Sequence, residues 1–121
     1  MSPNVVLLVA AGGMIGAPAR YLLGKWALSV FGTRFPWGTW IINLSGSLLL
    51  GVLTGLRHEM PEWVYPLLGT GFAGAYTTFS TFGYETVTLL HQNRRTAAVI
   101  YAASSALLGL TAAAVGMTLA G

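Results

Sequence analysis

Four long apolar runs, parted by short polar interruptions, leave this chain few folds to choose from. A helix that crosses a bilayer needs about 20 mostly apolar residues. Such stretches run over residues 5–30, 37–56, 63–90 and 96–119. The second and fourth hold no charge, the third is uncharged except for Glu85, and the first carries Arg20 and Lys25. The interruptions read GTRFP, RHEMPE and HQNRR. Only 7% of the residues are charged, against about 25% in a soluble domain, so lipid is the solvent this surface suits. The predicted fold is an all-α membrane protein of four transmembrane helices, with residues 1–121 forming a single integral membrane domain. Pro36 and Pro61 stand where new helices would begin, which suits a residue without an N–H. Trp26, Trp37, Trp40 and Trp63 fall near span ends, the usual depth of interfacial aromatics.

The charges are few enough to exclude whole classes. Six basic residues scattered along the chain do not make the clustered basic face that nucleic acid requires. Without cysteine there is no disulfide or thiolate site. The N-terminal residues lack the basic segment of a cleaved signal peptide. His58 and His91 have no second metal ligand nearby in sequence and read as solvated. Arg34, Arg94 and Arg95, with Lys25, place the first and third connections in the cytoplasm and both termini outside, against Arg57 on the other side. Four helices are too thin a bundle to enclose a wide aqueous route, so a transport site would form more easily between copies.

Polar residues inside the spans mark candidate chemistry. Arg20 lies roughly 24 Å along the first span at helical rise. Two roles suit it: a side chain snorkelling to the interface beside Lys25, or a fixed charge that attracts anions or locks a subunit contact. Asn43 must hydrogen-bond a neighbouring helix or line a wet cavity. Gly46 and Ser47 read as close-packing residues, as do Ser104 and Ser105. Tyr101 and Ser105 share one face of the fourth span.

The third span is the outlier. In GFAGAYTTFSTFGYE, glycines precede a run of hydroxyls around Phe79 and Phe82. Glycine-interrupted spans mark broken helices whose freed backbone groups bind ions. The spacing puts the two rings nearly on one face, and pairs Thr77 with Ser80 and Thr78 with Thr81. Ordinary back-bonding of hydroxyls to helix carbonyls accounts poorly for so many of them. No carboxylate lies deep in a span, as a cation path would favour. Amide and hydroxyl donors, with electropositive ring edges, tilt the lining toward a small hydrated anion.

GFAGAYTTFSTF, preceded by GGMIGAPARY and PWGTWIINLSGS, closely resembles the fluoride channels of the Fluc (CrcB) family, over nearly the whole chain. The resemblance implies an antiparallel, dual-topology homodimer with the third helix of each subunit broken, two narrow fluoride pores, and passive export of fluoride across the cell (inner or plasma) membrane. It implies a structural Na+ that is not transported, held at the dimer centre by the backbone carbonyls of Gly74 and Thr77. The family's pore positions match Phe79, Phe82, Asn43, Ser80, Thr81, Tyr101, Ser105 and Glu85, with Arg20 near the aqueous mouth. Two departures stand out. Gly109 replaces a further serine that some members carry, and the Lys and Arg bias is large for a chain that inserts both ways, which leaves a pair of paralogues as the alternative assembly.

The main rival is a small multidrug/proton antiporter. It would need a titratable acid deep in a span, where this chain offers Arg20. A non-transporting interaction subunit would explain the small residues as packing, but not the hydroxyl and phenylalanine run. An enzyme is the weakest reading, since neither a nucleophile–base pair nor a phosphate-binding glycine loop is present.

Overall fold

The computed structural model describes residues 2–120. It is helical, with no strand among the described residues. Helix α1 spans Pro3–Phe31 and α2 spans Trp37–Leu56. A π-helical segment, Tyr65–Ala73, continues as the short α3, Gly74–Tyr76. Helices α4, Phe79–His91, and α5, Arg95–Ala120, complete the chain. Three helices, α1, α2 and α5, are long and apolar enough to cross a membrane unbroken. The other apolar stretch is divided at Thr77 and Thr78, both extended.

Local chemistry sets the ends. Ser2 caps α1 by accepting the Val5 N–H at 3.2 Å, and Pro3 opens the first turn. Gly32, at φ 78°, closes it with its N–H on the Leu28 carbonyl at 2.9 Å. Pro36 directly precedes α2, as expected. Pro61 does not open the third span. It lies in a turn, and Pro66 occupies the first turn of the helix instead.

Two pairs of elements carry most of the packing: α2 lies along α5, and α1 along the π-helical segment. Small residues allow both. A Cβ on Gly12 would strike the Leu67 carbonyl, and one on Gly16 the Phe72 carbonyl. A Cβ on Gly51 would meet Ala113, and one on Gly116 would come within 2.7 Å of the Leu48 carbonyl. This is how helices associate where lipid removes the hydrophobic drive between them. Leu7, Met14, Leu107, Leu110 and Leu119 are accordingly exposed, and Tyr101 is the one large side chain buried outright among the described residues. It anchors a cluster with Leu89 and Ala98, flanked by Phe35, Trp40 and Phe82.

The first and third connections meet at one end, where the Arg94 guanidinium donates to the Arg34 carbonyl. Arg34 and Arg94, two of the basic residues counted for orientation, thus lie together at that end.

Candidate functional site

The break in the third span is made by side chains more than by glycine. Gly74 is helical, at φ −62° and ψ −39°, so the break expected from the glycines lies just after them, at Thr77 and Thr78. Gly69, Gly71 and Gly74 serve the wide π winding instead, with the Gly74 N–H reaching the Gly69 carbonyl. At the break, Asn43 of α2 engages both sides of Thr78. Its Oδ1 accepts the Thr78 N–H at 2.9 Å, and its Nδ2 donates to the Thr78 carbonyl at 3.0 Å. The interhelical hydrogen bond, one of two roles open for Asn43, is therefore realised, and each amide atom makes one bond.

The hydroxyl run is divided in the same way. Thr77 donates to the Ala73 carbonyl at 2.9 Å, ordinary back-bonding by one hydroxyl of the run. Thr78 is the N-cap of α4: its Oγ1 accepts the Thr81 N–H at 3.2 Å and donates to Thr81 Oγ1 at 3.0 Å. The expected Thr78–Thr81 pair forms. The expected Thr77–Ser80 pair does not, because Ser80 lies 3.5 Å from the Thr78 hydroxyl instead.

These bonds free two carbonyls. In an unbroken helix the Gly74 oxygen would accept from Thr78, and the Thr77 oxygen from Thr81. Both N–H groups are diverted, one to Asn43 and one to the Thr78 side chain. Among the described residues no hydrogen bond ends on the Gly74 or Thr77 oxygen.

Two cavities flank the break, and Thr78 lines both. The first, of about 740 Å³, reaches the end where the first and third connections meet. Arg20, Lys25, Thr81, Glu85 and Gln92 border it among apolar neighbours such as Trp37 and Ile42, so the first-span arginine stands at a recess of mixed lining. The second, of about 620 Å³, is bordered by Asn43, Ser47, Gly74, Thr77, Phe79, Phe82 and Ser105, and by no charged residue. Phe79 is 85% exposed. Its ring centroid lies 6.1 Å from that of Phe82, which lies 5.1 Å from Tyr101.

The fourth-span residues take different parts. The Tyr101 hydroxyl donates to Glu85 Oε1 at 2.9 Å, tying α5 to α4; Glu85 borders the first cavity, whereas Tyr101 borders neither. Ser105, one turn on, borders the second cavity, and its buried hydroxyl has no partner. Ser104 accepts the Trp40 Nε1–H at 3.0 Å, a packing role as expected. Gly109 faces α2, where a Cβ would stand 3.7 Å from Ser47 Oγ. His58 and His91 are exposed.

Sequence reasoning passed over Thr78 as a functional residue, though a threonine just ahead of a helix start, three before another threonine, is an N-cap signal. It also missed the Ser45–Tyr76 hydroxyl contact at 2.8 Å, which fastens α3 to α2 and has no local signature.

Comparison with known proteins adds an independent line. Residues 7–117 match the model of the CrcB-like protein family, Camphor Resistance (CrcB). The chain is 48% identical to the "Fluoride-specific ion channel FluC" of Acidobacterium capsulatum, over 92% of this chain and 91% of the relative. It is 46% identical to the protein of the same name from Shewanella amazonensis, over 96% and 95% of the two chains. It is 45% identical to "Fluoride-specific ion channel FluC 2" of Rhodococcus jostii, over 94% and 96%.

Proposed function

This chain belongs to the CrcB-like family, and from that premise we propose that it is a passive, selective fluoride channel that lets F⁻ leave the cytoplasm and so relieves fluoride toxicity. The observation that carries this reading is the second cavity. There the unpartnered Ser105 hydroxyl and the rings of Phe79 and Phe82 meet in a recess without charge. A hydroxyl proton and ring edges suit a small anion shedding its water. Arg20 and Lys25, bordering the other cavity, raise anion concentration at its mouth. The function is conduction and not catalysis. HF crosses bilayers neutral and ionises inside, and an inside-negative potential then drives F⁻ out with roughly 2.3 kcal/mol per charge per 100 mV.

The working unit is an antiparallel dual-topology homodimer in the cell membrane, with two pores formed between copies. A pair of paralogues is the alternative assembly. Phe79, so open to its surroundings in the single chain, supports a pore wall completed by a second copy. A structural, non-transported Na+ sits at the dimer centre, held by the Gly74 and Thr77 carbonyls. The two unengaged oxygens fit that ion, since unwound backbone carbonyls are the usual sodium ligands in broken membrane helices. When bound, the ion supplies a fixed positive charge and ties the two breaks together. An antiporter reading gains nothing from Glu85, whose carboxylate is already engaged by Tyr101.

Flux from liposomes holding the purified protein tests the reading. Rapid, passive fluoride efflux that far exceeds chloride efflux is expected. Equal leakage of both anions, or no leakage, would sink it.

A further inference from the structure

Two carbonyls are proposed cation ligands, and each has lost its helical donor to a side chain. The Thr78 N–H, due at the Gly74 oxygen, goes to Asn43 Oδ1 at 2.9 Å. The Thr81 N–H, due at the Thr77 oxygen, goes to Thr78 Oγ1 at 3.2 Å. The correspondence is one to one: two side-chain oxygens release two backbone oxygens. Neighbouring contacts hold the release in place. A Cβ on Gly46 would strike the Thr77 methyl, so α2 sits directly on the break. Thr78 is buried, so water competes poorly for its bonds.

We propose that Asn43 and Thr78 are positioning residues for the cation at the break, acting by withholding the two N–H groups that would otherwise occupy the Gly74 and Thr77 carbonyls. This gives Asn43 a task other than lining the pore, and gives Thr78 a task where none was assigned. It also makes the cation site an intrinsic product of one chain's α2–break contact, formed before any ion arrives. The inference rests on the sodium assignment above.

The test uses the full-length protein, purified and assembled, melted in sodium chloride and in choline chloride at equal ionic strength. Wild type is expected to gain thermal stability with sodium. Thr78→Val keeps the shape but loses the acceptor, and should need on the order of tenfold more sodium for half the effect, the scale of one hydrogen bond. Thr78→Ser restores the hydroxyl and should follow wild type. Asn43→Leu should weaken sodium in the same way through the other carbonyl. Wild-type sodium midpoints in Thr78→Val and Asn43→Leu would overturn the inference while leaving the sodium site standing. A wild type indifferent to sodium would remove the site itself. Should the variants not assemble, amide exchange of wild type decides. The Thr78 and Thr81 amides should stay protected without sodium, because side chains hold them, and loss of that protection would refute the assignment.

Discussion

The two halves of the broken third span are held in different ways. The π-helical half, Tyr65–Ala73, is pressed against α1 with backbone almost on backbone, and Gly69, Gly71 and Ala73 are buried. The α4 half reaches the rest of the protomer almost entirely through α5, and presents Phe79 and Tyr84 to its surroundings. Gly71 makes the close approach possible, since a Cβ there would come within 2.6 Å of the Val9 carbonyl on α1. Hydroxyls, rings and one carboxylate furnish the second. An anchored half can hold a fixed break, while an uncovered half leaves polar and aromatic groups available to an ion and a second copy. The difference places the protomer's close packing on one side of Thr78 and its candidate pore rings on the other.

The sharpest way to break the contrast is at the anchored half. Gly16→Val would drive a side chain into the Phe72 backbone, with Phe72 C and Cα both 3.1 Å from the new Cβ. The cost should reach the upper end of the roughly 1–3 kcal/mol typical of overpacking, because backbone cannot step aside as a side chain can. Loss of monodisperse protein after detergent extraction, or a large fall in melting temperature, is expected. A variant that melts like wild type would show that α1 does not anchor this half.

Next in size is the tether that fixes α4 to α5. Tyr101→Phe removes the donor to Glu85 and leaves a half-buried carboxylate without it. A bond to a charged group is worth about 1.5–3 kcal/mol, and the lower figure applies because Glu85 also borders the first cavity. Thermal stability should fall while the α1 side is unaffected, which differential amide exchange would report as deprotection confined to α4 and the facing turns of α5. Uniform deprotection would mean that the halves are not held separately.

The spans were legible because hydrophobic length is a property of sequence alone: the second matches at both ends, and the first and fourth differ by a residue or two. The break was legible as an event but misplaced. Glycine signals backbone freedom, whereas the actual cause is competition for two N–H groups by Asn43 and Thr78. The first competitor is 35 positions away, so no local pattern could reveal it. The π winding was likewise invisible, since no local pattern in the sequence marks it. Phe79, Phe82 and Ser105 border one cavity, and of these only the nearness of the two rings was readable from spacing. Tyr101 and Glu85 instead pair with each other, a contact fixed only once α4 and α5 pack.

Within the uncovered half, Phe82→Ile tests the ring directly. Isoleucine keeps apolar bulk against Tyr101 but removes the ring edge from the second cavity. Fluoride flux in liposomes should drop by about tenfold, equivalent to 1.4 kcal/mol, with the assembled protein unchanged by size-exclusion chromatography. Undiminished flux would contradict the pore role of this ring.

The smallest effect is expected at Gly109, where the family resemblance led one to look for a further serine. Ser47 Oγ already stands 3.7 Å from the place a Cβ would take, an ordinary contact distance, so Gly109→Ser fits without displacing α2. The position faces a hydroxyl, so the new side chain can bond Ser47 and need not turn toward the cavity. Stability should therefore change by under about 1 kcal/mol, the scale of one added neutral hydrogen bond. Fluoride flux should stay within about threefold of wild type. A large gain in flux would mean that the hydroxyl lining that runs along α5 from Ser105 is cut short at Gly109 and that Ser47 does not complete it. A large loss would mean that this gap carries water in the conducting protein. Either outcome would move part of the pore from α4 to the α2–α5 seam, and so redraw the division between the structural and the conducting side of the chain.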